Sequence, residues 1–63
     1  MTDEGFMFAK HADSLIYYED RARREEAAAE ATSSPQLASV HRLLAIEYEA
    51  EARDLRKQLA SKA

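Results

Sequence analysis

His41 is the residue in this sequence whose type and setting best suit chemistry. It lies among the apolar residues Leu37, Val40 and Leu44. A histidine can act as an acid or a base, bind a metal, or share a hydrogen bond with a carboxylate. If the chain reverses direction shortly before His41, a carboxylate from the preceding segment comes level with it. The candidates for this partner are Glu25 and Glu26.

Metal chemistry is the first alternative for His41. Helical di-metal sites use a glutamate three residues before a histidine, and neither histidine of this chain has one. The other histidine, His11, falls near the opposite end of a hairpin, and the chain has no cysteine. We therefore expect no metal and no cofactor, and we interpret His41 with Glu25 or Glu26 as a structural polar pair that fixes register.

Nucleic-acid binding is the second alternative, and its candidate contacts are Arg21, Arg24 and Arg42. Asp20 lies four residues before Arg24, which favours an ion pair within a helix. The formal net charge of the chain is -3, so it has no overall attraction for a polyanion. Contacts with nucleic acid are therefore expected only if the three arginines share one face.

Enzyme and membrane classes have little support in the sequence. There is no serine, histidine and acid set at workable spacing and no glycine-rich phosphate loop. Apolar runs are too short to cross a bilayer, and the first residues carry acids where a secretory signal carries basic groups. We predict a cytoplasmic protein that is not an enzyme and does not enter membranes.

The elements that would position these residues are two long helices. Alanine, glutamate, arginine and leucine dominate the 63 residues, and all four favour helix. The predicted single domain, residues 1–63, has a helix over about 3–31, a turn over about 32–34 and a helix over about 35–61. Ser34 is the predicted N-cap of the second helix, and Pro35 suits its first position because its missing N–H needs no partner there.

Apolar residues recur at three- and four-residue steps along both predicted helices, which is typical of helices that pack along each other as in a coiled coil. An antiparallel hairpin places Tyr18 level with Tyr48 and Ala22 level with Ala45. The predicted stripes consist of Phe8, Ala12, Leu15, Tyr18, Ala22 and Ala29 on the first helix, and of Leu37, Val40, His41, Leu44, Tyr48, Ala52, Leu55 and Leu59 on the second.

A second set of apolar residues falls outside these stripes. A row of exposed apolar side chains along a lone hairpin calls for a partner, and a second copy is the simplest one. We therefore predict an all-α fold, an antiparallel helical hairpin that forms a homodimer with the architecture of a four-helix bundle. The predicted oligomer interface contains Phe6, Ile16, Tyr17, Leu43 and Ile46.

Between Tyr17 and Leu55 the chain resembles a group of short, uncharacterised bacterial two-helix proteins. Their pattern is Y-x-x-R-A-x-x-E, an alanine-rich run, a polar residue and proline, and then H-x-x-L-A-x-x-Y-E-x-x-A-R-x-L. It matches from Tyr18 to Glu25 and from His41 to Leu55, with Ser34 where those proteins often have aspartate. The resemblance implies a hairpin and carries no established activity.

The sequence thus predicts a small protein-interaction or regulatory module that acts through the surface of a helical bundle. One alternative is a nucleic-acid-binding dimer similar in plan to the small RNA-binding protein Rop, although no motif is shared and a fold does not imply a function. The other alternative is a metal-binding helical bundle.

Overall fold

In the computed structural model, the chain forms two α-helices joined by a short turn. The structure describes the backbone of residues 3–62 and the side chains of residues 13–61. Helix α1 spans Asp3–Ala31 and helix α2 spans Pro35–Lys62. The two helices pack along each other, which confirms the predicted all-helical hairpin.

The turn between the helices is held by hydrogen bonds of two hydroxyl side chains. The N–H of Thr32 donates to the carbonyl of Ala28 at 3.1 Å and closes α1. The N–H of Ser34 donates to Oγ1 of Thr32 at 3.1 Å. Oγ of Ser34 accepts a hydrogen bond from the N–H of Leu37 at 3.2 Å. The backbone carbonyl of Ser34 accepts one from the N–H of Ala38 at 2.9 Å. Ser34 therefore caps α2, with Pro35 as the first helical residue.

Replacing Ser34 by alanine is expected to lower the free energy of unfolding by about 1 kcal/mol, because one N–H of the first turn of α2 loses its acceptor. In a chain of this size the melting temperature falls by roughly 4–8 °C per kcal/mol. Thermal melts followed by circular dichroism measure this shift. The matched control is Ser33→Ala, since Ser33 is exposed and lies in the same turn. Equal melting temperatures for the two variants would show that the cap contributes nothing.

The seam between α1 and α2 is lined by alanine. The buried apolar residues among those described are Ala22, Ala29, Ala38, Ala45 and Ala52. They recur every seven residues on each helix, which keeps one side of a helix facing its partner. A methyl group is the smallest side chain that still excludes water, so the two backbones can approach closely along this line. No large side chain of the described part is fully buried.

Two residues expected in the seam lie outside it. Leu37 is 52% exposed and Val40 is 50% exposed, so their assignment to the main stripe was wrong. The physical reason is the seven-residue repeat of Ala38 and Ala45, which turns α2 so that its small residues face α1. As a result, the larger side chains of Leu37 and Val40 point toward solvent.

The hairpin is a single layer of two helices. Its extents are 50 × 18 × 12 Å and its radius of gyration is 14.7 Å, compared with about 11 Å for a compact chain of this length. Domains usually bury their apolar faces between two layers, and here both broad faces are open. Within residues 3–62, neither helix carries an apolar stretch long enough to cross a membrane.

Candidate functional site

Glu25 is the centre of a polar cluster inside the seam. The side chain of Glu25 is 8% exposed. One carboxylate oxygen, Oε1, accepts a hydrogen bond from Nδ1 of His41 at 2.6 Å, and the other, Oε2, accepts one from Nη2 of Arg21 at 2.6 Å. An ionised carboxylate has only lone pairs, so in that form of Glu25 the donor of the first bond is Nδ1 of His41. One buried acid therefore links α1 to α2 and is held by a cation of its own helix.

Arg21 is the second member of this cluster. Its guanidinium carbon lies 5.4 Å from the centre of the Tyr48 ring, within the range of a cation–π contact. The contact with Tyr48 and the charge of Glu25 raise the pKa of Arg21 above its ordinary value, although desolvation by itself lowers this pKa. Its Nε atom is buried with no hydrogen-bond partner in the described part of the chain. Arg21 is therefore a charged component of the seam.

Three tyrosines extend the cluster along one flank. Their ring centres are 5.3 Å apart for Tyr17 and Tyr18, 6.4 Å for Tyr17 and Tyr48, and 6.1 Å for Tyr18 and Tyr48. The first two pairs meet edge to face, the favoured arrangement of aromatic rings. The pairing of Tyr18 with Tyr48, like that of Glu25 with His41, is the one that the antiparallel register places level.

The two glutamates considered as partners of His41 have different positions. Glu25 bonds His41, whereas Glu26 is exposed and lines a groove beside Arg42. Adjacent residues of an α-helix point about 100° apart, at 3.6 residues per turn. Only one of two neighbours can therefore face the seam, and the alanines at positions 22 and 29 place Glu25 there.

This cluster has few of the parts that a metal site needs. In the part of the chain with described side chains, no group of three or more histidine, cysteine, aspartate or glutamate residues is placed to hold a metal ion. Zinc sites use at least three protein ligands, and His41 with Glu25 supplies two. The arrangement pairs the carboxylate of Glu25 with one donor across the helix interface, His41, and with one donor on its own helix, Arg21. That this pair fixes the register stays a prediction.

The three arginines considered for nucleic-acid contacts have separate environments. Arg21 is engaged in the seam, and Arg24 donates from Nε to Asp20 at 2.8 Å. Arg42 lines a groove beside Glu26. By helical geometry Arg24 and Arg42 lie on opposite flanks of the hairpin. On a single hairpin they therefore form no common basic face, and whether a dimer brings them together stays a prediction.

The outer surface of α2 is the second candidate site. We use "outer row" for Ser39, Leu43, Ile46 and Ala50, which follow each other at steps of four, three and four residues. Leu43 is 63% exposed and Ile46 is 64% exposed. Beside the row runs a groove of about 340 Å³, lined by Glu26, Arg42, Ala45, Ile46, Glu49 and Arg53. The row is a short apolar strip with charges along one edge.

Of the other residues predicted at the oligomer interface, Ile16 is exposed on α1, and Tyr17, also exposed, joins the aromatic flank through Tyr18 and Tyr48. Helical geometry places Ile16 on the same flank as Ile46 and Tyr17 on the opposite one. The predicted interface is therefore divided between two sides of the hairpin. Phe6 lies outside the residues whose side chains the structure describes.

An arginine of α2 bridges the helices on the flank of the groove. Arg56 donates from Nη1 to Glu19 and from Nη2 to Glu49, each at 2.9 Å. Both carboxylates raise the pKa of Arg56, with Glu49 the larger cause. The bond to Glu49 uses its Oε1 atom, so Oε2 of Glu49 remains as a hydrogen-bond acceptor at the edge of the outer row.

Sequence reasoning missed the role of Arg21, which it treated as a possible nucleic-acid contact. The signal was present in the four-residue spacing from Arg21 to Glu25, which places the two side chains on one side of a helix. The buried position of Ala38 was missed as well, and its signal is the seven-residue step to Ala45.

Together these features define a two-helix antiparallel hairpin with an alanine-lined seam and a polar centre. No protein family model matches the chain, and comparisons with curated proteins and with solved structures find no similar protein. The resemblance to short bacterial two-helix proteins stays a prediction.

Proposed function

We propose that the protein is a non-enzymatic interaction or regulatory module of the cytoplasm that acts as a homodimer, two hairpins forming an antiparallel four-helix bundle. One observation carries the proposal. The side chains that would contribute most to a core, among them Leu43 and Ile46, are exposed, whereas every buried apolar residue of the described part is an alanine.

The magnitudes favour association. Burying a methyl group contributes about 0.8 kcal/mol, and burying a leucine or isoleucine side chain contributes about 1.5–3 kcal/mol. Covering Leu43 and Ile46 in both copies therefore adds four large side chains to a core that is otherwise built of methyl groups. A chain of this length needs such a supplement, because short chains bury too little surface to be stable on their own core.

The opposite flank of the hairpin supports a role in binding another protein. There a groove of about 430 Å³ lies between aromatic and acidic side chains. Exposed aromatic residues are enriched where proteins bind each other, and Tyr17 is exposed beside this groove. The groove is lined by Tyr18, Leu44, Glu47, Tyr48, Ala50 and Glu51. In the proposed dimer the tyrosine side of this groove stays open for a protein partner, while Ala50 belongs to the covered face.

The dimer is tested by sedimentation equilibrium of the unmodified chain and of Ile46→Glu. We expect a mass of two chains at micromolar concentration, and dissociation to one chain for the variant, because a carboxylate replaces an apolar side chain in the covered face. The control is Leu37→Glu, which places the same charge at an exposed apolar residue outside the outer row and is expected to keep the dimer mass. A mass of one chain for the unmodified protein would contradict the proposal.

A further inference from the structure

The outer row of α2 is nearly symmetric in size when read from either end. Its order is small, large, large, small, with Ser39 and Ala50 at the ends and Leu43 and Ile46 in the middle. The steps of four, three and four residues are those of a seam between two helices. A row with this order is complementary to a reversed copy of itself, because large residues then meet large ones and small residues meet small ones.

We propose that α2 packs antiparallel against α2 of a second copy, with the two-fold axis passing between Leu43 and Ile46. This inference rests on the proposed dimer and specifies its contact. In this arrangement Leu43 packs against Ile46 of the partner subunit, and Ser39 packs against Ala50 of the partner subunit. A two-fold interface contains each contact twice, so a contact between Ser39 and Ala50 occurs at each end of it. Because both residues are small, the two helices can approach closely there.

The charges beside the row have the same symmetry. Arg42 and Glu49 lie along the edge that borders the groove, and the antiparallel arrangement brings Arg42 to Glu49 of the partner subunit. The two-fold axis repeats this pair, so two ion pairs flank the apolar contacts. In the described part of the chain Arg42 has no carboxylate within 4.0 Å, and Glu49 keeps one carboxylate oxygen beyond its bond to Arg56.

A parallel arrangement of the two helices fits the charges less well. Along a parallel seam, side chains on one edge meet those five residues further on in the partner. Arg42 would then face Glu47 of the partner subunit, an attractive pair, but Glu49 would face Asp54 of the partner subunit. The parallel arrangement therefore adds two acid–acid contacts that the antiparallel one lacks. Like charges across an interface weaken binding and exclude the wrong geometry, which favours the antiparallel one.

Polar residues at both ends of the row determine its register. Continuing the same steps leads to Gln36 before Ser39 and to Arg53 after Ala50. The apolar part thus covers twelve residues, about 18 Å of helix. A slip of one heptad would place Leu43 against Arg53 of the partner subunit, so the register centred between Leu43 and Ile46 is the one that covers the apolar side chains.

Cysteine cross-linking tests the geometry, and the absence of natural cysteines makes each introduced thiol unique. In the double variant Ser39→Cys with Ala50→Cys, the two thiols of one chain are about 16 Å apart along α2. A short bis-maleimide therefore joins them only between chains. We expect the double variant to form covalent dimers on a denaturing gel, and each single variant to form at least tenfold fewer.

The single variants separate the possible arrangements. Efficient cross-linking of Ser39→Cys alone would indicate a parallel contact and overturn the inference. A sedimentation mass of two chains without cross-linking of the double variant would place the dimer contact elsewhere and overturn the inference, while leaving the proposed dimer standing. A mass of one chain would instead overturn the proposed function itself.

Charge reversal tests the flanking ion pairs. Arg42→Glu is expected to raise the dimer dissociation constant about tenfold, because two modest pairs are lost and two repulsions replace them. The double variant Arg42→Glu with Glu49→Arg restores the pairs in reverse and is expected to bind more tightly than either single variant. Glu49→Arg alone is the second reference, because it also removes the bond between Glu49 and Arg56 of the same chain. Arg23→Glu, the same change of charge on an exposed residue of α1, controls for net charge. A double variant that binds as weakly as Arg42→Glu would overturn the proposed pairing.

Discussion

Replacing Ala52 by leucine is expected to lower the free energy of unfolding of the hairpin by about 1–3 kcal/mol, the usual effect of adding methylene groups to a packed site. Ala52 is 0% exposed, so no space is left for a larger side chain at this position. A leucine must either push α2 away from α1 or adopt an unfavourable rotamer. In a chain of this size the melting temperature falls by roughly 4–8 °C for each kcal/mol.

Ala27→Leu is the matched control, because Ala27 is an exposed residue of α1 and receives the same added volume. Substitutions at such exposed positions usually change stability by less than about 0.5 kcal/mol. Urea unfolding of both variants, at one protein concentration so that association contributes equally, gives the comparison. If Ala52→Leu unfolds at the same urea concentration as Ala27→Leu, the seam is not closely packed and the account of the alanines is wrong.

Much of the fold is predictable from local chemistry. The two helices follow from a composition rich in strong helix formers, and the break between them follows from a serine and a proline in the order that ends one helix and begins the next. The antiparallel pairing follows from the short connection. These features depend on residues adjacent in sequence, which is why the positions of Ser34 and Pro35 were sufficient to predict them.

The first turns of α2 were the part whose seam residues sequence reasoning predicted incorrectly, whereas Tyr48 and Ala52 of the same predicted stripe are half-buried and buried. Weighting residues by hydrophobicity placed Leu37 and Val40 in the seam, whereas close approach of two helices selects for small size and places Ala38 there instead. A rotation of about 100° separates Leu37 from Ala38. Packing between the helices determines which orientation has the lower free energy, and this packing cannot be predicted from amino-acid composition alone.

The polar cluster was predictable to within one residue. Chain reversal placed Glu25 and Glu26 level with His41, but the choice between them depends on the same rotation of a helix. The contribution of Arg21 depends on where Tyr48 lies, because the guanidinium contacts the ring as well as the carboxylate. Contacts that join residues from both helices require the register and the rotation to be known together.

Replacing Glu25 by alanine is expected to lower the free energy of unfolding by about 1–3 kcal/mol, because two hydrogen bonds to a buried carboxylate are lost. The carboxylate accepts hydrogen bonds from both His41 and Arg21, so its removal leaves two donors in the seam without their acceptor. Chemical unfolding followed by circular dichroism measures the loss. Glu26→Ala removes the same group from an exposed neighbour and is expected to change stability by less than about 0.5 kcal/mol.

A double-mutant cycle with His41→Leu shows whether the cluster acts through the bond between the helices. Residues that share a hydrogen bond have coupling energies of about 0.5–3 kcal/mol, and additive effects of Glu25→Ala and His41→Leu would show that the bond contributes nothing. His41→Leu alone is expected to lower the free energy of unfolding by about 1–3 kcal/mol, because Oε1 of the buried Glu25 loses its hydrogen-bond donor. Exchanging both members of a buried polar pair for apolar residues often preserves stability while the specificity of packing declines, and Glu25→Leu with His41→Leu makes this exchange. If His41 and Glu25 fix the register of the hairpin, this double variant therefore keeps its helicity but forms dimers of less uniform geometry.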